Sequence, residues 1–200
     1  MTNKARYHRA NFLLSAPDLE FLPADVGAEV AFIGRSNVGK SSAINTITGI
    51  SGLARSSKTP GRTQSINLFT LDTHNRLADL PGYGYAKVPL QLKLRFQALI
   101  NDYLETRQCL KGLILLMDIR HPLKESDEQL IQWAIHCEVP LHVLLTKSDK
   151  LTHGGASAVL QQVTQALQSW APNATVQLFS SLDHTGLDKV HGVLNHWLPA

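Results

Sequence analysis

Residues 34–41 read GRSNVGKS, between an apolar run at Val30–Ile33 and a segment, Ala43–Thr48, that can be helical. They match the pattern G-x-x-x-x-G-K-[ST] in the setting that gives it meaning, a buried strand feeding a loop that opens a helix. Gly34 and Gly39 let the backbone turn tightly, so that the amides of Arg35, Ser36, Asn37 and Val38 can point inward at phosphate oxygens. The helix beginning near Lys40 adds the positive end of its dipole. In that setting Lys40 would bridge a β- and a γ-phosphate, and the Ser41 hydroxyl would ligate Mg²⁺, a hard ion that takes oxygen ligands. Alone, the same string could be a glycine-rich turn with a chance lysine.

Two further strings follow in order. DLPG at Asp79, Leu80, Pro81 and Gly82 ends the alternating run Arg76–Asp79, which places the Asp79 carboxylate at a strand tip within reach of Mg²⁺, directly or through water. Gly82 would present its N–H to the γ-phosphate. A lone D-x-x-G is ordinary turn chemistry; its position after the first motif makes it informative. TKSD at Thr146, Lys147, Ser148 and Asp149 follows a third apolar run, Leu141–Leu145. Asp149 can accept hydrogen bonds from the N1–H and 2-amino group of guanine. Adenine offers neither donor and would leave the carboxylate unpaired, a mismatch that discriminates strongly. Lys147 would lay its aliphatic stem on the base plane. Phe179, Ser180 and Ser181 would offer backbone N–H groups to guanine O6. TKSD by itself reads equally well as a strand-end turn with a helix cap; the three strings in sequence point to guanine-nucleotide binding.

The chain has 200 residues, 44% hydrophobic and 18% charged, which suits one globular domain with a substantial core. No apolar run approaches membrane-spanning length, and the start MTNKARYHRANFLL lacks the apolar stretch and cleavage site of a secretory signal, so a cytoplasmic location is expected. Cys109 and Cys137 stand apart without a C-x-x-C pair and read as reduced, buried residues. The nine histidines are scattered, which favours structural roles over a metal site. A formal net charge of +3 is mild, but basic residues gather at Lys4, Arg6 and Arg9, at Arg55, Lys58 and Arg62, and at Lys87, Lys93 and Arg95. They could face RNA, serve the triphosphate, or be ordinary solvated surface.

Strand-type runs recur at Val30–Ile33, Ser65–Leu71, Arg76–Asp79, Gly112–Asp118, Leu141–Thr146 and Thr175–Phe179. Helical stripes lie at Leu92, Phe96, Leu99 and Tyr103, at Leu130, Ile131, Ala134 and Ile135, and at Leu187, Val190, Leu194 and Trp197. Continuous apolar strands need both faces covered, so the expected fold class is α/β, a doubly wound, mostly parallel sheet. The turn at Thr73–Asn75 is too short for a parallel crossover, which predicts an antiparallel edge hairpin. Phe12–Leu14 would add a strand in an N-terminal extension, 1–24, packed on a nucleotide domain, 25–200. Ile50–Gln64 and Leu80–Pro89 lack an apolar period and read as two mobile loops beside one γ-phosphate.

With GRSNVGKSS at 34–42, KTPGRTQ at 58–64, DLPGYGYA at 79–86, DIRHP at 118–122 and TKSDKL at 146–151, the chain resembles the EngB (YihA/YsxC) family of bacterial ribosome-biogenesis P-loop GTPases. The resemblance implies a Ras-like fold, binding of GTP/GDP and Mg²⁺, assistance to assembly of the large ribosomal subunit, and a need for the protein in cell division and septation. It implies that the precursor particle, with its rRNA and ribosomal proteins, is the partner; no membrane or DNA partner is expected, and a monomer is the default. It assigns Gly61, Arg62, Thr63, Gln64 and Ser65 to a first switch, with Thr63 beside Ser41 as the second protein ligand of Mg²⁺, and Asp79–Gly82 to the start of a second. Lys40, Thr63 and Gly82 would act on the γ-phosphate. Many such enzymes carry glutamine after D-x-x-G; here Tyr83 stands there and cannot orient water through an amide, which predicts slow hydrolysis. Related GTPases with asparagine at the position of Asn37 use it to help coordinate K⁺. A GTP-dependent binding module with negligible turnover and a P-loop ATPase or kinase are the alternatives.

Overall fold

The computed structural model describes residues 4–55, 65–84 and 89–199. Seven strands form one sheet: β1 (Asn11–Ala16), β2 (Ala28–Gly34), β3 (Ile66–Thr70), β4 (Asn75–Asp79), β5 (Leu110–Asp118), β6 (Leu141–Thr146) and β7 (Thr175–Leu178). Their spatial order is β1-β3-β4-β2-β5-β6-β7. All neighbouring pairs are parallel except β1 with β3 and β3 with β4, so β3 alone runs against the rest. The helices are α1 (Lys4–Tyr7), α2 (Lys40–Thr48), α3 (Leu90–Thr106), α4 (Glu125–His136), α5 (His153–Trp170) and α6 (Leu187–Trp197).

The period of two along the central strands assigns side chains to two cores. Ala31 and Ile33 of β2 and Leu113, Leu115 and Met117 of β5 meet α3, α4 and α5 on one face. Val30 and Phe32, with Ile114 and Leu116, meet α2 and α6 on the other. Both faces being covered, the central stretches of these strands, Val30–Ile33 and Leu113–Met117, are apolar throughout, as a parallel sheet requires.

The β3–β4 hairpin is antiparallel, in the register Asn67↔Asp79 to Thr70↔Arg76. Asp72 builds its turn: Oδ1 accepts from the backbone N–H of His74 and of Asn75, both at 2.9 Å. The hairpin lies one strand inside the expected edge, because β1 runs two residues past Leu14 and pairs along the outer side of β3. The chain before β1 is tied down as well. The Arg6 guanidinium donates to the carbonyls of Leu198 (2.7 Å) and Pro199 (2.9 Å), and the Tyr7 ring stacks on His191 at 4.5 Å. Arg6 therefore closes the carboxyl end of the fold instead of facing a polyanion.

Two buried polar clusters interrupt the apolar pattern. Glu29, fully buried in β2, accepts from Arg76 Nε (2.9 Å), from Arg107 Nε (3.2 Å) and from the Tyr103 hydroxyl. Its charge is thus paired at the end of the sheet away from Gly34. Cys109 is buried and free, with its thiol pushed up to about 11 by burial, while Cys137 is only half-buried. His142 of β6 is fully buried between Thr175 Oγ1 (2.6 Å) and Gln177 Oε1 (3.0 Å). Gln177 Oε1 can only accept, so Nε2 carries the proton and Nδ1 accepts from the threonine hydroxyl.

Burial lowers the His142 pKa from 6.5 to about 4. Below the unfolded value the denatured chain takes up a proton that the native state refuses, so stability falls as pH drops through that window. We expect a loss of about 2 kcal/mol between pH 7.5 and pH 5 in urea unfolding, largely abolished in His142→Asn. An unchanged pH slope in the variant would show that this histidine does not set it.

Candidate functional site

The site lies at the carboxyl ends of β4, β2, β5 and β6. Gly34 closes β2 where a Cβ would fall 2.8 Å from the Leu116 carbonyl oxygen, so no side chain fits without displacing the backbone of β5. The loop then alternates into the left-handed region at Asn37 (φ 63) and Gly39 (φ 99), which turns successive amides toward one side. Val38, 4% exposed, pins the loop to the core below, and α2 begins at Lys40 with its first amides open to the same side. Arg35 and Ser36 are half-buried and Asn37 is exposed.

On the β4 side, Lys40 Nζ pairs with Asp79 Oδ1, and the two side chains are 12% and 4% exposed. Beyond Asp79 the backbone continues alongside the loop. Leu80 N–H donates to Phe32 O (3.0 Å), Tyr83 N–H to Gly34 O (3.3 Å) and Ser36 N–H to Tyr83 O (3.0 Å), with Pro81 and Gly82 buried between. The Tyr83 hydroxyl donates to Asp127 Oδ1 at 2.7 Å, and Asp127 Oδ2 accepts the Lys124 N–H at 2.9 Å, capping α4. Burial first, then the Asp127 carboxylate, raises the Tyr83 pKa well above 10, so the phenol keeps its proton.

On the β6 side, the Thr146 hydroxyl donates to Val38 O (2.7 Å) and reaches Met117 O (3.1 Å). Lys147, itself left-handed at φ 60, sends Nζ to Asn37 O (2.8 Å) and to Asp118 Oδ2 (2.9 Å). Ser148 is buried and its N–H donates to Phe179 O (3.2 Å). Asp149 Oδ1 accepts from Ser180 Oγ (2.8 Å), and Lys150 Nζ lies 3.0 Å from Oδ2. Lys150, then Ser180, hold the Asp149 carboxyl below the usual range.

The three strings are thus brought together. The Thr146 hydroxyl faces the phosphate loop and ties the TKSD turn to it. A correction concerns the backbone donors at 179–181. The Phe179 N–H is spent on Leu145 O (2.9 Å) and the Ser180 N–H on Thr185 O (3.1 Å), so both are already engaged within the fold. The Ser180 side chain instead steadies Asp149. Gly61, Arg62, Thr63 and Gln64 lie outside the described residues, as do Lys58 and Lys87; Ser65 is a half-buried bend before β3. Ser41 in the first turn of α2 and Asp79 beside Lys40 are hard oxygen donors at the loop, a set that fits Mg²⁺. Among the described residues no cluster of three His, Cys, Asp or Glu side chains forms a metal cage, and no helix is long and apolar enough to cross a membrane.

A family model described as a 50S ribosome-binding GTPase matches residues 29–147. The chain is 58% identical over 191 residues to the probable GTP-binding protein EngB of Coxiella burnetii (strain RSA 331 / Henzerling II), covering 96% of this chain and 93% of that one. It is 55% identical over 197 residues to that of Enterobacter sp. (strain 638), covering 98% and 94%. The chain belongs to the EngB family of GTP-binding proteins. A crystal structure of a probable GTP-binding protein EngB superposes with a TM-score of 0.70 at 21% identity, covering 86% of this chain and 98% of that one. Era in complex with MgGDPNP and nucleotides 1506–1542 of 16S ribosomal RNA gives 0.64 at 20%, covering 88% and 58%. Both show the shared Ras-like P-loop fold.

Two contacts of this EngB chain were not expected from its sequence. Asp118 touches Lys147, and Asp127 holds Tyr83; the only signal for the first was its place at the head of DIRHP. The Thr146 hydroxyl is the tie between β6 and the phosphate loop. Thr146→Val keeps the shape, removes the donor and leaves the Val38 carbonyl without it, so urea unfolding should show a loss of about 1–3 kcal/mol. A loss below about 0.5 kcal/mol would mean that the hydroxyl ties nothing.

Proposed function

We propose that this chain binds GTP and GDP with Mg²⁺, hydrolyses GTP slowly, and uses the difference to assist assembly of the large ribosomal subunit. The observation that carries the nucleotide reading is that Thr146 and Lys147 both donate to carbonyls of the 34–41 loop, which sets the base-reading motif directly beside the phosphate-binding one. The loop amides and the start of α2 grip the polyphosphate, while Asp149, steadied by Ser180, reads N1–H and the 2-amino group of guanine. Lys147 lies across the base, and Ser181 supplies the donor for O6.

Ser41 and Asp79 would hold Mg²⁺, with Thr63 as the further ligand that the family pattern implies. Bound there, the ion neutralises phosphate charge and favours departure of the leaving oxygen. Lys40 exchanges Asp79 for β- and γ-phosphate oxygens, and Gly82 turns its N–H to the γ-phosphate. Where many such enzymes carry glutamine after D-x-x-G, Tyr83 stands here, and its hydroxyl is committed to Asp127. This supports slow intrinsic turnover, completed by a partner or by K⁺ held through Asn37. The same commitment of Tyr83 favours a second reading, a module that holds GTP essentially without turnover.

The ribosomal role rests on the family model's description and on the likeness to the EngB relatives. A ribosomal role implies a cytoplasmic location, and the family resemblance implies a further role in cell division and septation. Single-turnover GTP hydrolysis with and without large-subunit precursor particles tests it. Acceleration by the particles supports a GTPase switch, tight binding with no turnover in either case supports the holding module, and no binding of particle or nucleotide overturns both.

Two variants probe the pocket. Asp149→Asn should weaken GTP binding by about 10- to 100-fold while improving xanthosine triphosphate relative to GTP, read by nucleotide competition. An equal loss for both nucleotides would count against the base assignment. If K⁺ acts through Asn37, turnover at equal ionic strength should be faster in K⁺ than in Na⁺, and the ratio should fall to about one in Asn37→Ala. Identical rates in the two salts would remove the ion from the mechanism.

A further inference from the structure

The carboxylate at the tip of β5 lies beneath the base-reading lysine. We infer that Asp118 is a positioning residue for Lys147: it fixes the ammonium at the far end of the side chain and so sets the path of the aliphatic stem across the bound nucleotide. The inference rests on the guanine-nucleotide reading above.

Lys147 is constrained at both ends. Its backbone is held at φ 60, which sets the direction of Cα–Cβ, and its Nζ donates to Asn37 O at 2.8 Å and to Asp118 Oδ2 at 2.9 Å. A lysine side chain free at its tip would sample many rotamers, and ordering it on binding would cost entropy. The loop carbonyl supplies a neutral acceptor; Asp118 supplies a charged one, and the bond between two ionised groups is the stronger.

The two Asp118 oxygens divide their tasks. Oδ1 accepts the Arg120 backbone N–H (3.0 Å) and Arg120 Nε (2.9 Å), which closes the local turn. Oδ2 is shared by Arg120 Nη2 (2.7 Å) and Lys147 Nζ. Asp118 is 15% exposed beneath an Arg120 that is 44% exposed, so the guanidinium shields the carboxylate from water. Arg120 first, then Lys147, hold its carboxyl well below the usual range, so the anchor stays charged throughout the neutral range. The rival account is that Asp118 serves only the turn at Arg120. The two accounts differ in whether its effect passes through Lys147.

A double-mutant cycle with Asp118→Asn and Lys147→Ala separates them, read by stopped-flow dissociation of N-methylanthraniloyl-GDP. Asparagine keeps an acceptor for the turn and loses the charge. We expect dissociation about tenfold faster in Asp118→Asn but changed less than about twofold when the same change is made in Lys147→Ala. Single-turnover hydrolysis at saturating GTP should stay within about twofold of the wild type, which marks a binding effect and not a chemical one. The same fold-change in both backgrounds, or none in either, overturns the inference. Lys147→Met keeps the stem without the ammonium and gives a reading that does not depend on Asp118→Asn folding. It should release nucleotide about as fast as Asp118→Asn, and a wild-type rate would equally overturn the inference. Failure of the wild-type chain to bind any guanine nucleotide would instead sink the functional reading itself.

Discussion

The hydrogen bond from the Thr146 hydroxyl to the Val38 carbonyl joins the end of β6 to the loop that follows β2, a strand that is not its neighbour. β5 lies between β2 and β6, so the base-reading turn and the phosphate loop can be held together only by side chains that cross its end. Thr146 crosses it through Met117 O, and Lys147 crosses it beside Asp118. Both crossings are short and end on backbone carbonyls of the loop. The distance between the 34–41 loop and the Asp149 carboxylate is thus set by the sheet, whose strand spacing varies little, and not by a flexible connection.

The two flanks of the loop are held by chemically different contacts. On the β6 side the loop contributes acceptors, the carbonyls of Asn37 and Val38, which a phosphate has no use for. On the β4 side the Gly34 carbonyl accepts from Tyr83, but the loop also contributes donors, the Lys40 ammonium to Asp79 and the Ser36 N–H to Tyr83 O, and donors are what a polyphosphate seeks. A nucleotide entering the loop would leave the first set of contacts intact and compete with the second. Such an asymmetry is what a fixed base side beside an exchangeable γ-phosphate side would require of a two-state element biased by one phosphate.

Much of this was legible in the residues because parallel strands buried on both faces are runs of apolar side chains, and each run ended in a short polar string whose chemistry is local. Backbone amides in a glycine loop need no distant partner to be recognised. What could not be read were contacts between residues far apart in the chain. Arg6 looks like surface charge until it meets the carbonyls at 198 and 199, and Glu29 looks like an error in an apolar strand until Arg76, Arg107 and Tyr103 close around it. The hairpin was predicted from a short turn, but a turn says nothing about what pairs with its outer strand, so the place of β1 at the edge had no local signal. The same holds at the site. The base-contacting amides of 179–181 were read from position alone, and only the fold shows that two of the three are already engaged by Leu145 and Thr185.

Tyr83 is where the exchangeable side meets the rest of the molecule. Its carbonyl accepts from Ser36 in the phosphate loop, and its hydroxyl donates to Asp127, which is completely buried in the first turn of α4. A phosphate oxygen that took the Ser36 N–H would leave the Tyr83 carbonyl to find another donor, and the peptide could turn toward one only by straining the hydroxyl's bond. Breaking that bond would strip Asp127, buried and already raised in pKa by burial, of one of its two partners. An unpaired buried carboxyl is costly, so the backbone after Gly82 and the start of α4 must move together or not at all. The residue that stands in the place of glutamine here therefore ties the backbone after Gly82 to the start of α4 through a buried bond, and a displacement of either would be felt by the other.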